Sequence, residues 1–132
     1  MYLSQKWAKN ALEWISGIAV APPISLTAHF WEVAPDETGT GGTELTGGGY
    51  TPATVSLGDP ANGTGTVVAQ ALNDAVLNFP DFPVDSVDVA AYSLHDEVGD
   101  LVVLNDSPTL PAFSAGANVQ VAVGELLVGF TK

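Results

Sequence analysis

Apolar residues at the start of the chain recur at helical spacing. Leu3, Trp7, Ala11 and Trp14/Ile15 stand at i, i+4, i+8 and i+11/i+12, which places them on one face. The spacing predicts a helix over Tyr2 to Ile15, with Ser4 as N-cap and Gly17 as the stop. Lys6, Lys9, Asn10 and Glu13 fall on the other side. Two tryptophans in one short helix are a large apolar payload. The favoured reading is that they plug the end of a β core. The alternative is that the helix docks onto a neighbouring subunit.

After Pro22-Pro23 the period shortens to two. Ile24, Leu26, Ala28 and Phe30 alternate with Ser25, Thr27, His29 and Trp31, the pattern of a strand with unlike faces. Residues 34–49 are rich in Gly, Thr and acids and read as a long, mobile surface loop. Beyond it, Tyr50 to Leu57 reads as a strand with Pro52 marking an edge or bulge, and Gly58 to Gly63 as a turn. Thr66 to Leu72 and Ala75 to Phe79 read as partners across Asn73-Asp74. Ser86 to Leu94 alternates again, and His95 to Gly99 turns into Leu101 to Leu104. Val119 to Val123 and Leu126 to Thr131 read as a closing hairpin, with Gly116 a bend at its entry.

One helix and about eight short strands, with turns every 8–12 residues, predict a mainly β fold. The expected architecture is an antiparallel β-sandwich or jelly-roll-like barrel with one N-terminal α-helix. The 132 residues suit a single domain over 1–132, with the helix in 1–17 and the β body in 24–131.

Charge sharpens this picture. The chain holds 3 basic and 15 acidic residues and no arginine, for a net charge of -12. No Lys or Arg occurs between Asn10 and Thr131. Such a surface repels phosphate backbones and anionic bilayers, so neither nucleic acid nor membrane is an expected partner. No apolar run approaches the roughly 20 residues of a membrane span. Charged residues are nonetheless sparse, at 14% of the chain against about 25% in typical soluble domains. Either much of the surface meets other protein, or Thr, Ser, Asn and Gly cover the solvent face. Cysteine is absent, so stability rests on packing, oligomerisation or both.

The residues do not assemble a recognisable catalytic motif. The two histidines, His29 and His95, lie far apart in sequence. The acidic run 95–100 lacks the spacing of a calcium loop and reads as a solvated turn. The Gly-rich stretch 39–49 lacks the Lys-Ser/Thr of a phosphate loop, and no nucleophile elbow occurs. Neither enzymatic activity nor a cofactor or metal is expected. A stand-alone carbohydrate-binding module would want solvent-facing tryptophan on a sheet, for which Trp31 is the candidate.

An ordered set of features then points to a family. The helix (2–15) is followed by Ile-Ser-Leu-Thr-Ala-His-Phe (24–30) and by Asp-Glu-Thr-Gly-Thr-Gly-Gly-Thr-Glu (36–44). Thr46-Gly-Gly-Gly-Tyr50, Asn78-Phe-Pro80, Ala91-Tyr-Ser-Leu-His-Asp96, Gly99-Asp-Leu-Val-Val-Leu104 and Ser114-Ala-Gly-Ala-Asn118 follow in order. The chain resembles small bacteriophage virion proteins, often labelled tail-fibre-like or minor structural proteins. It departs from their pattern at Thr51-Pro52, where Arg is frequent, and at Asn118, where Asp is common.

The resemblance implies a non-enzymatic virion protein, assembled in the host cytoplasm, whose partners are other virion proteins. The favoured expectation is a capsid decoration or cement protein bound to the major capsid protein. The alternative is a tail fibre or baseplate component that contacts a host receptor or glycan. A homo-oligomer is expected, with a trimer favoured. Three contact regions are expected: the helix face with Trp7 and Trp14, the loop from Asp36 through Glu37 and Glu44 to Tyr50, and the acidic turn with His95, Asp96, Glu97 and Asp100.

Overall fold

The computed structural model of the protein describes residues 1–131; Lys132 lies outside them. The fold is mainly β and antiparallel with one α-helix. The main sheet holds six strands: β1 (Tyr2–Leu3), β2 (Leu26–Val33), β3 (Thr43–Glu44), β4 (Ala53–Val55), β8 (Ala91–His95) and β9 (Leu101–Asn105). Its order is β1-β9-β8-β2-β3, and β4 also pairs with β2. A three-stranded sheet joins β5 (Ala61–Asn62), β6 (Val67–Leu72) and β11 (Leu127–Thr131), and a two-stranded one joins β7 (Leu77–Phe79) and β10 (Val119–Val121). Among the described residues no helix is long and apolar enough to cross a membrane.

The alternation in β2 does what it predicts. Ala28 and Phe30 point into the main core, where they meet Leu94, Val103, Val55, Leu77, Phe79 and Phe82. That core is built on aromatic edges: Phe30 meets Phe79 and Phe82 at 5.0 and 5.3 Å in T-shaped geometry, and Phe82 meets Phe113 at 5.1 Å. The opposite face of the sheet carries a smaller cluster of Trp31, Ala91, Leu101 and Leu104.

Four expectations are corrected. The helix α1 runs Gln5–Ile15, because Tyr2 and Leu3 pair with Leu104 and Val103 as a strand instead. Ser4 is the N-cap as expected, its Oγ accepting from Trp7 N at 3.3 Å, and Gly17 follows the helix at φ 84, where a side chain would be strained. The 34–49 segment is not a featureless loop: it supplies β3, and Leu45 is buried.

Neither the expected 66–79 hairpin nor the expected 119–131 hairpin forms. β6 pairs with β11 and β7 with β10, so Asn73-Asp74 divides two sheets rather than closing one. Buried Asn73 explains the division. Its Nδ2 donates to Ala75 O and Ala122 O, and its Oδ1 accepts from Leu126 N, each at 2.9 Å. A side chain that satisfies backbone groups from both neighbouring segments fastens them where no hairpin could. Lastly, the 86–94 strand begins only at Ala91. Ser86–Asp88 forms a 3-10 turn that leaves Val87 87% exposed.

Candidate interaction surface

Parts of the three expected contact regions meet at the β8–β9 tip: the start of the helix, Glu37 and the acidic turn, while Trp14, Glu44 and Tyr50 lie away from it. The helix start is held there from two sides: Ser4 N donates to Val102 O and Gln5 N to Glu37 O, both at 2.8 Å. Lys6 reaches over the β8–β9 hairpin tip and donates to Asp96 Oδ2 at 3.0 Å and Asp100 Oδ2 at 2.7 Å.

The tip is not a simple solvated acidic turn. Asp96 is only 5% exposed, and its Oδ1 accepts from Val98 N and Asp100 N at 3.1 and 2.8 Å. Burial by itself would raise its carboxyl, but the Asp100 N–H and the Lys6 ammonium outweigh burial and hold it below the usual carboxylate value. Glu97 is exposed and accepts from Ile24 N at 2.9 Å, which ties the strand entry to the same tip.

Asp36 organises the neighbouring loop in the same way. Its carboxylate accepts from the hydroxyls of Thr38 and Thr40 at 2.6 and 2.9 Å and from their N–H groups at 2.9 and 3.1 Å. These bonds lower its carboxyl to about 2. Glu37 is exposed and contributes its backbone carbonyl to the helix start. Glu44 and Tyr50 lie further along, where β2 passes from β4 to β3. The Tyr50 hydroxyl accepts from Phe30 N at 2.8 Å and donates to Glu44 Oε1 at 3.3 Å, and it satisfies a β2 group between the two short strands. Burial pushes its phenol up.

The histidines, distant in sequence, are brought into contact. His29 and His95 lie on adjacent strands with ring centroids 4.3 Å apart. His29 Nδ1 is 2.6 Å from Glu44 Oε1, and its Nε2 is 2.9 Å from Thr27 Oγ1. His95 Nδ1 lies 2.9 Å from Gly99 O, which can only accept, so that nitrogen carries the proton. Its Nε2 then accepts from Ser93 Oγ at 3.0 Å, and Ser93 accepts from Trp31 Nε1 at 2.7 Å. Trp31 is therefore 7% exposed and hydrogen-bonded, which removes it as a solvent-facing sugar platform. Among the described residues no group of three or more His, Asp or Glu side chains gathers to hold a metal ion.

The two helix tryptophans part company. Trp7 packs against the main core, and its indole N–H is buried with no acceptor among the described residues. Trp14 is 70% exposed and Ile15 72%, so the plug reading holds for one tryptophan only. Leu12 and Ile18 are also exposed, and Trp14 lines a groove with Leu3, Ala11 and Val20. Sequence reasoning missed Leu12 and Ile18, although Leu12, Ile15 and Ile18 recur every three residues. It also missed Lys6 as the partner of the acidic turn; the charge pattern held that signal, since Lys6 is one of two cations in the described chain.

A second concavity lies on the core side of the sheet at the opposite end. It has a volume of about 460 Å³, with Phe30, Tyr92, Leu110, Phe113 and Val121 in its lining and Thr109, Gln120 and Glu125 among its polar groups.

No curated protein and no solved structure matches the chain. A family model does match, over residues 2–128, which takes in the helix, the main sheet and most of the two smaller sheets. The chain thus belongs to the family described as podophage GP4 fiber I protein gp80, and it is a small phage virion structural protein.

Proposed function

We propose that this chain is a component of a phage fibre, working by contact with other virion proteins and not by catalysis. The family description names a fibre protein, and that observation carries the reading over the head-decoration role the composition suggested. The physical chemistry agrees. An acidic, arginine-free body that leaves Leu12, Trp14, Ile15 and Ile18 uncovered suits a chain whose apolar end meets protein neighbours in the particle. The pairing of β1 at the N-terminus with β9 supports reading residues 2–105 as one structural unit.

Localisation on the particle tests this. Purified virions are separated into heads and tails with their appendages, and each fraction is probed for the chain by mass spectrometry and by gold-labelled antibody. The expected result is label on projecting fibres. Label spread over the capsid lattice, with a copy number tracking the capsid protein, would replace the fibre reading with head decoration.

A further inference from the structure

Independently of the fibre reading, we infer that the cavity bounded by β2, β8 and β10 binds an alkylated ammonium group such as the trimethylammonium of choline. The cavity holds about 460 Å³, within the roughly 300–1,000 Å³ of small-ligand sites. Three aromatic rings give it its character. Phe30 is buried at its base, and half-buried Tyr92 stands beside it, with ring centroids 6.3 Å apart and planes inclined by 55°, so the two rings make a corner. Half-buried Phe113 supplies the third ring. Phe30 and Phe113 both pack edge-on against Phe82, at 5.3 and 5.1 Å, so these rings are fixed before any ligand arrives. The face of an aromatic ring is negative and attracts a cation held within about 6 Å. A methylated ammonium suits an apolar lining, because its charge is spread over methyl groups and asks for no hydrogen bonds.

Charge selects a cation over a neutral or anionic occupant. Glu125 is on the lining and exposed, with one carboxylate oxygen accepting from Ala122 N at 3.1 Å. The lining contains no Lys, Arg or His. The two lysines of the described residues are engaged elsewhere, Lys6 with Asp96 and Asp100 and Lys9 with Glu13. Both histidines belong to the other face of the main sheet: His29 stands between core-facing Ala28 and Phe30, and His95 contacts His29. The net charge of the chain is -12, and a recess with apolar walls concentrates such a field.

The remaining polar groups point the same way. Gln120 spends its amide N–H on Asn78 Oδ1 at 2.7 Å, and Asn105 Oδ1 accepts from Ser107 N at 3.1 Å. A sugar needs several donors and acceptors converging on its hydroxyls, whereas these amides serve their own chain. What the cavity offers a ligand is chiefly ring faces and one carboxylate. The same negative field opposes a phosphate, so the ammonium group that fits is one without a phosphate beside it.

Titration of the full chain with choline, followed by backbone amide NMR shifts, tests the site. Choline is expected to bind with a dissociation constant of about 1 mM or tighter and to move the amides of Leu110, Val119 and Val121. Its neutral isostere, with carbon in place of the quaternary nitrogen, should bind about tenfold more weakly or not at all. Phosphocholine keeps the ammonium and adds a phosphate, and should lose a similar factor. Glu125→Gln keeps an acceptor for Ala122 N, removes the charge, and should weaken choline by about three- to tenfold. Thr109→Trp fills the cavity from its exposed rim and should abolish binding, and Gln120→Trp repeats that test if the first variant loses its circular-dichroism signature. Choline that binds no better than its neutral isostere, or that moves amides away from the cavity, would overturn the site. So would phosphocholine or methyl glucoside binding as tightly as choline, or a filled cavity that binds choline like wild type. The titration uses the isolated chain, so its result stands apart from whether the chain is found on fibres or on heads.

Discussion

The two halves of α1 belong to one amphipathic stripe and have different fates. The first half is fastened: Ser4 caps it, Gln5 and Lys6 bind two loops, and Trp7 joins the core. The second half leaves Leu12, Trp14 and Ile15 to solvent. Periodicity shows that a helix has an apolar face, but not how much of that face the chain itself covers. The uncovered remainder is the part that the proposed fibre contact would cover.

Truncating each tryptophan separates the halves most sharply. Trp7→Ala should destabilise by about 2–3 kcal/mol, as expected for a partly buried indole. Trp14→Ala should stay within about 0.5 kcal/mol in the monomer, since an exposed side chain has little to lose. Urea unfolding of both at low protein concentration measures the difference. Equal losses would mean that Trp14 is covered by its own chain.

Next in size is the tie between helix and tip. Asp96→Ala removes the acceptor of two turn N–H groups and of Lys6, and should cost about 2 kcal/mol. Glu97→Ala, one residue on, loses a single exposed bond to Ile24 N and should cost about 0.5 kcal/mol. If the two variants unfold at the same urea midpoint, the tip is not what fastens the first half. Trp7→Phe is the smaller, opposite case. It removes a buried donor that has no acceptor among the described residues, so it should be neutral or stabilising by up to about 1 kcal/mol.

Local signals were legible and non-local ones were not. The cap at Ser4, the stop at Gly17, the alternation of β2 and the β8–β9 hairpin all lie within a few residues of the features that encode them. Strands of two residues, such as β1 and β3, are too short to show a period. The pairing of β6 with β11 and β7 with β10 depends on Asn73 meeting Ala122 and Leu126, some fifty positions away, and nothing beside Asn73 announces it. That Lys6 and Glu37 would join the helix start to the acidic turn and the Asp36 loop was not legible, since these contacts span 32 to 94 positions. The cavity was not legible at all, since Phe30, Tyr92, Phe113 and Val121 come together only through the topology.

The smallest effect is an acid response that should touch the fastened half and spare the other. Burial lowers the His29 imidazole below its ordinary 6.5, with His95 adding to this and Glu44 opposing it. The folded chain therefore resists a proton that the unfolded chain accepts. This contribution to stability is fully present above pH 6.5 and is lost as pH falls through the lowered value. Asp36 adds a separate window: with its carboxyl at about 2 in place of 3.8, the order of residues 36–40 persists below pH 3.8 and goes as pH falls through about 2. The three indole N–H resonances report on this directly. Trp31 bonds Ser93, which bonds His95, which touches His29, so its resonance should move in the upper window. Trp14, outside that chain of contacts, should hold still in the monomer. His29→Gln should flatten the Trp31 response in the upper window while leaving the Asp36 window in place. A Trp14 resonance that tracked Trp31 would show that the two halves of the helix are coupled, and the division between a fastened and a free half would fail.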